Sequence, residues 1–80
     1  MDYFLGQIVM FPYNFVPMGW MLCNGATLQI QQNTALFSLI GNRFGGNGTT
    51  NFAIPNLQGA EPTAGLNFCI CTSGIYPTRD

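Results

Sequence analysis

Three cysteines, Cys23, Cys69 and Cys71, carry the most reactive side chains of this sequence. A cysteine nucleophile needs a base that takes up the thiol proton, and the sequence contains no His and no Lys. An odd number of cysteines without His also leaves a four-ligand zinc site incomplete. The sequence therefore predicts no enzyme, no cofactor and no metal, and cysteines that serve as small buried apolar residues. Pairing of Cys23 with either of the others would free the third for a bond between subunits, so the disulfide state stays open.

A Gly/Asn-rich segment at residues 41–51 is the second group of residues that could bind a ligand. A phosphate-binding loop needs a Lys after its last glycine and a helix behind it, whereas this segment has no Lys and runs into an extended pattern. Neutral amides and hydroxyls beside aromatic rings are instead suited to sugar hydroxyls. The predicted glycan contacts are Asn42, Phe44, Asn47, Thr49, Thr50 and Asn51. The same polar groups are equally suited to bonding the loop backbone, and both interpretations remain open.

Charge is nearly absent from this chain of 80 residues, of which 6% are charged and 48% hydrophobic. A typical soluble domain is about 25% charged. There is no basic patch, which argues against nucleic acid as a partner, because that affinity comes from many Lys and Arg contacts to phosphate. No apolar run approaches the roughly 18–20 residues that span a bilayer, so membrane insertion is not expected. The N-terminus also lacks the positive charge of a signal peptide.

The size of the chain points to association. A compact monomer of 8.7 kDa exposes about 4,700 Å² and buries only about 60% of the surface of its unfolded chain. Much apolar surface must then stay outside, and the net charge of −1 gives little repulsion between copies. We expect a homo-oligomer.

Hydrophobic alternation and turn residues predict a small α+β domain, a mainly antiparallel sheet with one short helix. Strands are expected at residues 5–11, 20–23, 26–30, 52–55 and 66–72. Asn24-Gly25 predicts a type I′ hairpin between the second and third strands. Asn33 is the expected N-cap of a helix at residues 34–40 that Gly41 ends. The last strand is apolar on both faces, which is typical of a central or interface strand.

Five short motifs follow one another in a fixed order: P-x-G-W, C-N-G, A-L-F-x-L-I-G, F-G-G-x-G and F-x-I-P-x-L, at residues 17–20, 23–25, 35–41, 44–48 and 52–57. Together they resemble the phage tail collar domain. Residues 66–70 and 74–79 are similar to the closing segment of the microcystin-dependent-protein branch of that family, whose members usually have a longer middle region than residues 60–66 here. We expect a single tail-collar-like domain at residues 1–80, with a collar core at 1–59 and a short link and C-terminal strand at 60–80.

The resemblance implies a place in short tail fibres, which are trimeric adhesins on a phage or phage-like particle. Since the shortened middle region is where a receptor-binding module would lie, we expect a structural, self-assembling subunit of a phage-tail-fibre-like or extracellular filamentous appendage. A receptor- or glycan-binding adhesin module is the alternative, with a cell-surface glycan as partner. The implied location is extracellular or on a virion or phage-tail-like particle. Trimer and open filament both remain open, as does the receptor. The predicted oligomer interface comprises Phe4, Leu5, Ile8, Phe68, Ile70, Cys71, Ile75 and Tyr76.

Overall fold

The computed structural model describes residues 3–62 and 65–77 of the chain. These residues form two antiparallel sheets, one short helix and a 3₁₀ turn, which confirms the predicted fold class. The elements, in chain order, are β1 (Ile8–Phe11), β2 (Trp20–Leu22), β3 (Thr27–Gln29), the 3₁₀ turn (Ile30–Gln32), α1 (Thr34–Ile40), β4 (Asn51–Ala53) and β5 (Asn67–Cys71). The predicted link at 60–66 lies partly outside the described residues.

The larger sheet has three strands in the order β1-β5-β2. Cys69 of β5 lies between Val9 of β1 and Leu22 of β2, and both pairings are antiparallel. The last strand is therefore central, which explains why both of its faces are apolar. β1 begins at residue 8 rather than at 5, because the chain turns at Gly6, whose φ is 84°, and the N–H of Gln7 bonds the carbonyl of Phe4 at 3.1 Å.

The predicted hairpin at Asn24-Gly25 is wrong. β2 pairs with β5, whereas β3 pairs with β4 in a second, two-stranded sheet. No non-glycine residue in the described part of the chain has a positive φ, so Asn24 does not take the type I′ conformation. Its Oδ1 accepts a hydrogen bond from the N–H of Ala26 instead, at 3.0 Å. The predicted alternation in β3 is confirmed: Thr27 and Gln29 are exposed and Leu28 is half-buried.

The helix α1 begins and ends where the sequence predicts. Asn33 lies at the N-cap position, but its side chain does not bond the first turn and its Nδ2 donates to the carbonyl of Gln29 at 3.0 Å. Gly41, with a φ of 61°, ends the helix and donates its N–H to the carbonyl of Phe37 at 2.7 Å. A helix of two turns is unstable alone, so its contacts with the rest of the domain must hold it.

The core lies between α1 and the two sheets. Its central cluster of buried residues comprises Leu5, Cys23, Leu36, Phe52, Ile54 and Ile70. The Phe37 ring packs against the Phe52 ring, with centroids 5.3 Å apart, and so joins the helix to β4. In the part of the chain that the structure describes, no polar or charged side chain is buried, and no helix is long and apolar enough to cross a membrane.

Candidate functional site

The three cysteines are free thiols buried inside the domain, each about 1% exposed. Burial raises the pKa of the Cys23 thiol to about 11, and the nearby Cys69 adds to the shift. Burial also raises the pKa of Cys69. Neutral, enclosed thiols are poor nucleophiles. In this structure the three side chains lie in the interior, and Cys71 does not reach the surface of the domain.

Asn47 organises the Gly/Asn-rich loop. Its Oδ1 accepts hydrogen bonds from three backbone N–H groups, those of Thr49 and Thr50 at 2.8 Å and of Asn51 at 3.1 Å. Its Nδ2 donates to the Oγ1 of Thr50 at 3.0 Å, and its own N–H donates to the Oδ1 of Asn51 at 2.9 Å. Several of the predicted glycan contacts therefore bond one another, as the loop-bracing interpretation expects.

A groove of about 450 Å³ runs between this loop and the 3₁₀ turn. Its lining consists of Gln29, Ile30, Gln31, Thr49, Thr50 and Asn51. The structure thus brings three of the six predicted glycan contacts to one concave surface, whereas Asn42, Phe44 and Asn47 do not line it. The two glutamines were missed because only the pairing of Gln29 with Asn51 across β3 and β4 brings them to the loop.

The predicted oligomer interface divides into two groups. Leu5, Ile70 and Cys71 are at most 7% exposed and belong to the interior of the domain, so their side chains offer almost no surface to a second copy. The side chains of Phe4, Ile8, Ile75 and Tyr76 are exposed, and Phe68 is half-buried. Contact of these five residues with a second copy stays a prediction.

Two chain segments meet beside this surface. Phe4 and Ile75 form a parallel bridge, and the N–H of Leu5 donates to the carbonyl of Ile75 at 2.7 Å. The Tyr76 hydroxyl lies 2.7 Å from Ser38 Oγ on α1. Hydrogen bonds therefore fix the positions of these three residues. Backbone pairing holds Phe4 and Ile75, and the hydroxyl contact with Ser38 holds Tyr76.

A model of the phage tail collar domain matches residues 6–62 of the 80. The chain belongs to the phage tail collar domain family. No curated protein matches the chain. The match ends before β5, although β5 is the central strand of the larger sheet.

The shared motifs of the collar domain have structural roles. The F-G-G-x-G motif lets the backbone approach closely at Gly46, where a Cβ would lie 2.4 Å from the Cα of Phe52. Its φ of 87° also favours glycine. The C-N-G motif places Cys23 in the core and uses Asn24 to join the segments before β3 and after β4, through a bridge to Asn56. These residues build the fold rather than a catalytic centre.

A row of aromatic rings crosses one side of the collar domain. Successive ring centroids lie 5.0 Å apart for Tyr3 and Trp20, 4.9 Å for Trp20 and Phe11, 5.6 Å for Phe11 and Tyr13, and 5.1 Å for Tyr13 and Phe15. Tyr13 and Phe15 are exposed, whereas Trp20 is half-buried within the row. The predicted interface omitted this row. The spacing of aromatic residues at 11, 13 and 15 is the signal that indicates it, since alternate residues of an extended segment share a face.

Proposed function

We propose that this collar domain is a structural subunit that assembles with copies of itself in a phage-tail-fibre-like or extracellular filamentous appendage. The observation that carries the proposal is the exposed apolar surface. Ten large hydrophobic side chains are at least 39% exposed: Phe4, Ile8, Met10, Tyr13, Phe15, Val16, Met18, Phe44, Ile75 and Tyr76. Large contiguous apolar patches are rare on soluble monomers and mark interaction surfaces.

The distribution of charge supports the same proposal. No charged residue occurs between positions 3 and 42, so neither hydration of charges nor repulsion opposes contact over that half of the chain. We also propose that the chain belongs to the microcystin-dependent branch of the family, which its C-terminal residues resemble. Its proposed location is outside a cell or on a virion.

Sedimentation velocity of the full chain over micromolar concentrations tests the proposal, together with negative-stain electron microscopy. We expect species larger than a monomer, either a discrete oligomer such as a trimer or regular filaments. A single sharp monomer boundary across that range would overturn the proposed function.

A second candidate, a glycan-binding adhesin module, is favoured by the groove beside the Gly/Asn-rich loop. The groove presents the side chains of Gln31 and Thr49, which are exposed, next to the half-buried Ile30. Amide and hydroxyl groups beside an apolar side chain suit a neutral sugar. Binding of the assembled protein on a glycan array tests this candidate, with Gln31→Ala expected to lower the signal and Gln58→Ala, which lies outside the groove, as its control. The absence of any signal above background would remove it.

A further inference from the structure

The outer edge of β1 has no partner strand in the described part of the chain. β1 and β2 are the two outer strands of the larger sheet, and β5 lies between them. We use the term β1 edge for the side of β1 (Ile8–Phe11) that faces away from β5. Unpaired backbone groups along such an edge are a template for pairing with another strand.

The register shows which backbone groups face outward. The N–H of Cys71 donates to the carbonyl of Gln7 at 2.9 Å, so residue 7 bonds β5. Because hydrogen-bonding direction alternates along a strand, Val9 and Phe11 also bond β5, opposite Cys69 and Asn67. The N–H and C=O groups of Ile8 and Met10 therefore face outward. Within residues 3–62 and 65–77, no other backbone or side-chain group bonds them.

The two edges of the sheet differ. By the same alternation, Trp20 and Leu22 direct their backbone groups to the outer side of β2. There the N–H of Trp20 donates to the carbonyl of Pro17 at 3.2 Å, and the carbonyl of Leu22 accepts from the N–H of Asn24 at 2.9 Å. Local turns thus occupy half of the β2 edge, whereas all four groups of the β1 edge stay open.

Within Ile8–Phe11 the β1 edge lacks the features that usually prevent pairing, whereas Pro12 and the turn at Gly6 confine the open edge to these four residues. Edge strands in soluble proteins carry a charged side chain, a proline or a bulge. β1 reads Ile-Val-Met-Phe and pairs with β5 in unbroken register, and the nearest charged positions along the chain are 2 and 43. Ile8 and Met10 are 40% and 39% exposed, so their side chains are accessible to a neighbour.

We propose that β1 pairs with β1 of a second copy, antiparallel, across a two-fold axis at Val9. This inference rests on the proposed function and names the first contact of the self-assembly. In this register Ile8 lies opposite Met10 of the second copy and Met10 opposite its Ile8, which uses every open group in four hydrogen bonds. The two three-stranded sheets become one sheet of six strands. A second copy fits better than an unrelated strand, because the pattern of donors and acceptors is complementary to itself and neither copy brings a charge to the contact.

Two pairs of variants of the full chain test the pairing. Met10→Pro removes an outward N–H without removing a bond of the domain's own ladder, and Leu22→Pro does the same on the β2 edge, as a matched control. Met10→Lys keeps the backbone and places a charge on the β1 edge. Its control is Gln58→Lys, at an exposed residue outside both β1 and the exposed apolar surface. Circular dichroism verifies the folding of each variant. If a proline variant does not fold, the lysine variant and its control test the β1 pairing.

Sedimentation velocity at one fixed concentration is the measurement. We expect the wild type, Leu22→Pro and Gln58→Lys to form dimers or larger even-numbered assemblies, and Met10→Pro and Met10→Lys to shift to monomer, with at least a tenfold loss of association. Assembly of the Met10 variants like the wild type, a wild-type trimer, or equal loss in the Gln58→Lys control would overturn the β1 pairing and leave the proposed function standing. A monomeric wild type would overturn both.

Amide hydrogen exchange supplies an independent result. In the assembled wild type, the N–H groups of Ile8 and Met10 should exchange at least tenfold more slowly than in the dissociated protein at high dilution. The N–H of Leu22, which faces the other edge, is the internal control and should not change. Equal exchange of the Ile8 and Met10 amides in both states would overturn the pairing.

Discussion

At the scale of single residues, Gly46 shows how one position can be fixed both by its conformation and by its surroundings. A Cβ there would lie 2.4 Å from the Cα of Phe52, and φ is 87°. Gly59 has nearly the same φ, 89°, but a Cβ at that position would have nothing within 4 Å. Gly59→Ala therefore isolates the cost of the left-handed backbone, about 1–2 kcal/mol.

Gly46→Ala should lower the free energy of unfolding by at least about 2 kcal/mol more than Gly59→Ala, because backbone atoms of β4 must move to admit the methyl group. Urea unfolding followed by Trp20 fluorescence, at one protein concentration, measures both. Equal losses in the two variants would contradict the close approach of Gly46 to Phe52.

The buried thiols predict a dependence of stability on alkaline pH. The pKa of Cys23 is raised from 9.0 to about 11 in the folded protein. Below pH 9 both folded and unfolded states keep the proton, so the contribution is fully present. Between about 9 and 11 the unfolded state loses its proton first, and the free energy of unfolding falls by up to about 1.4 kcal/mol per pH unit for this thiol.

Cys23→Ala should give a shallower decline over the same pH range, whatever its stability at neutral pH. Chemical unfolding at a series of pH values compares the two proteins. A slope unchanged by the substitution would contradict the raised pKa of Cys23.

At the scale of elements, a hydrogen bond between two hydroxyl groups ties the segment after β5 to α1. Ser38 Oγ donates to the carbonyl of Ala35 at 2.7 Å, so the Tyr76 hydroxyl must be the donor in its 2.7 Å contact with Ser38 Oγ. Tyr76→Phe removes this bond and should cost about 0.5–1.5 kcal/mol. Tyr13→Phe, at a tyrosine of similar exposure, is the control and should be close to neutral in urea unfolding. Equal effects would show that the bond does not hold the segment.

Local signals predicted the elements well and their partners poorly. The helix at 34–40 and the central position of β5 follow from spacing and from apolarity on both faces, and the structure confirms them. The Asn24-Gly25 signal wrongly predicted that β2 pairs with β3, because it reflects only the turn preference of these two residues. β2 pairs instead with Ile70 and its neighbours on β5, which lie far away in sequence. A local sequence pattern carries no information about such a distant partner.

The candidate site shows the same limit. The amide-rich character of the Gly/Asn-rich loop is plain in the sequence, but the sequence does not say which amides bond the loop itself. Asn47 turns its side chain inward to three backbone N–H groups, whereas Gln29, from another strand, lines the groove. Only the pairing of β3 with β4 decides which of these side chains lines the groove.

At the scale of the whole molecule, the buried thiols predict that assembly does not depend on disulfides. Each cysteine is about 1% exposed, so a bond between subunits would require the domain to open. Negative-stain images and sedimentation profiles should be the same with and without reductant. A thiol reagent should modify all three cysteines only in denaturant. Assemblies that dissociate on reduction would contradict this prediction.

The central position of β5 has a consequence for synthesis of the chain. β1 and β2 emerge from the ribosome first, yet neither can join the larger sheet until residues 67–71 have been translated and have left the exit tunnel. Until then β1 and β2, whose side chains are uncharged and mostly apolar, remain unpaired because β5 is missing. The nascent chain is therefore most exposed to chaperones, and to wrong encounters on crowded polysomes, before the domain has folded.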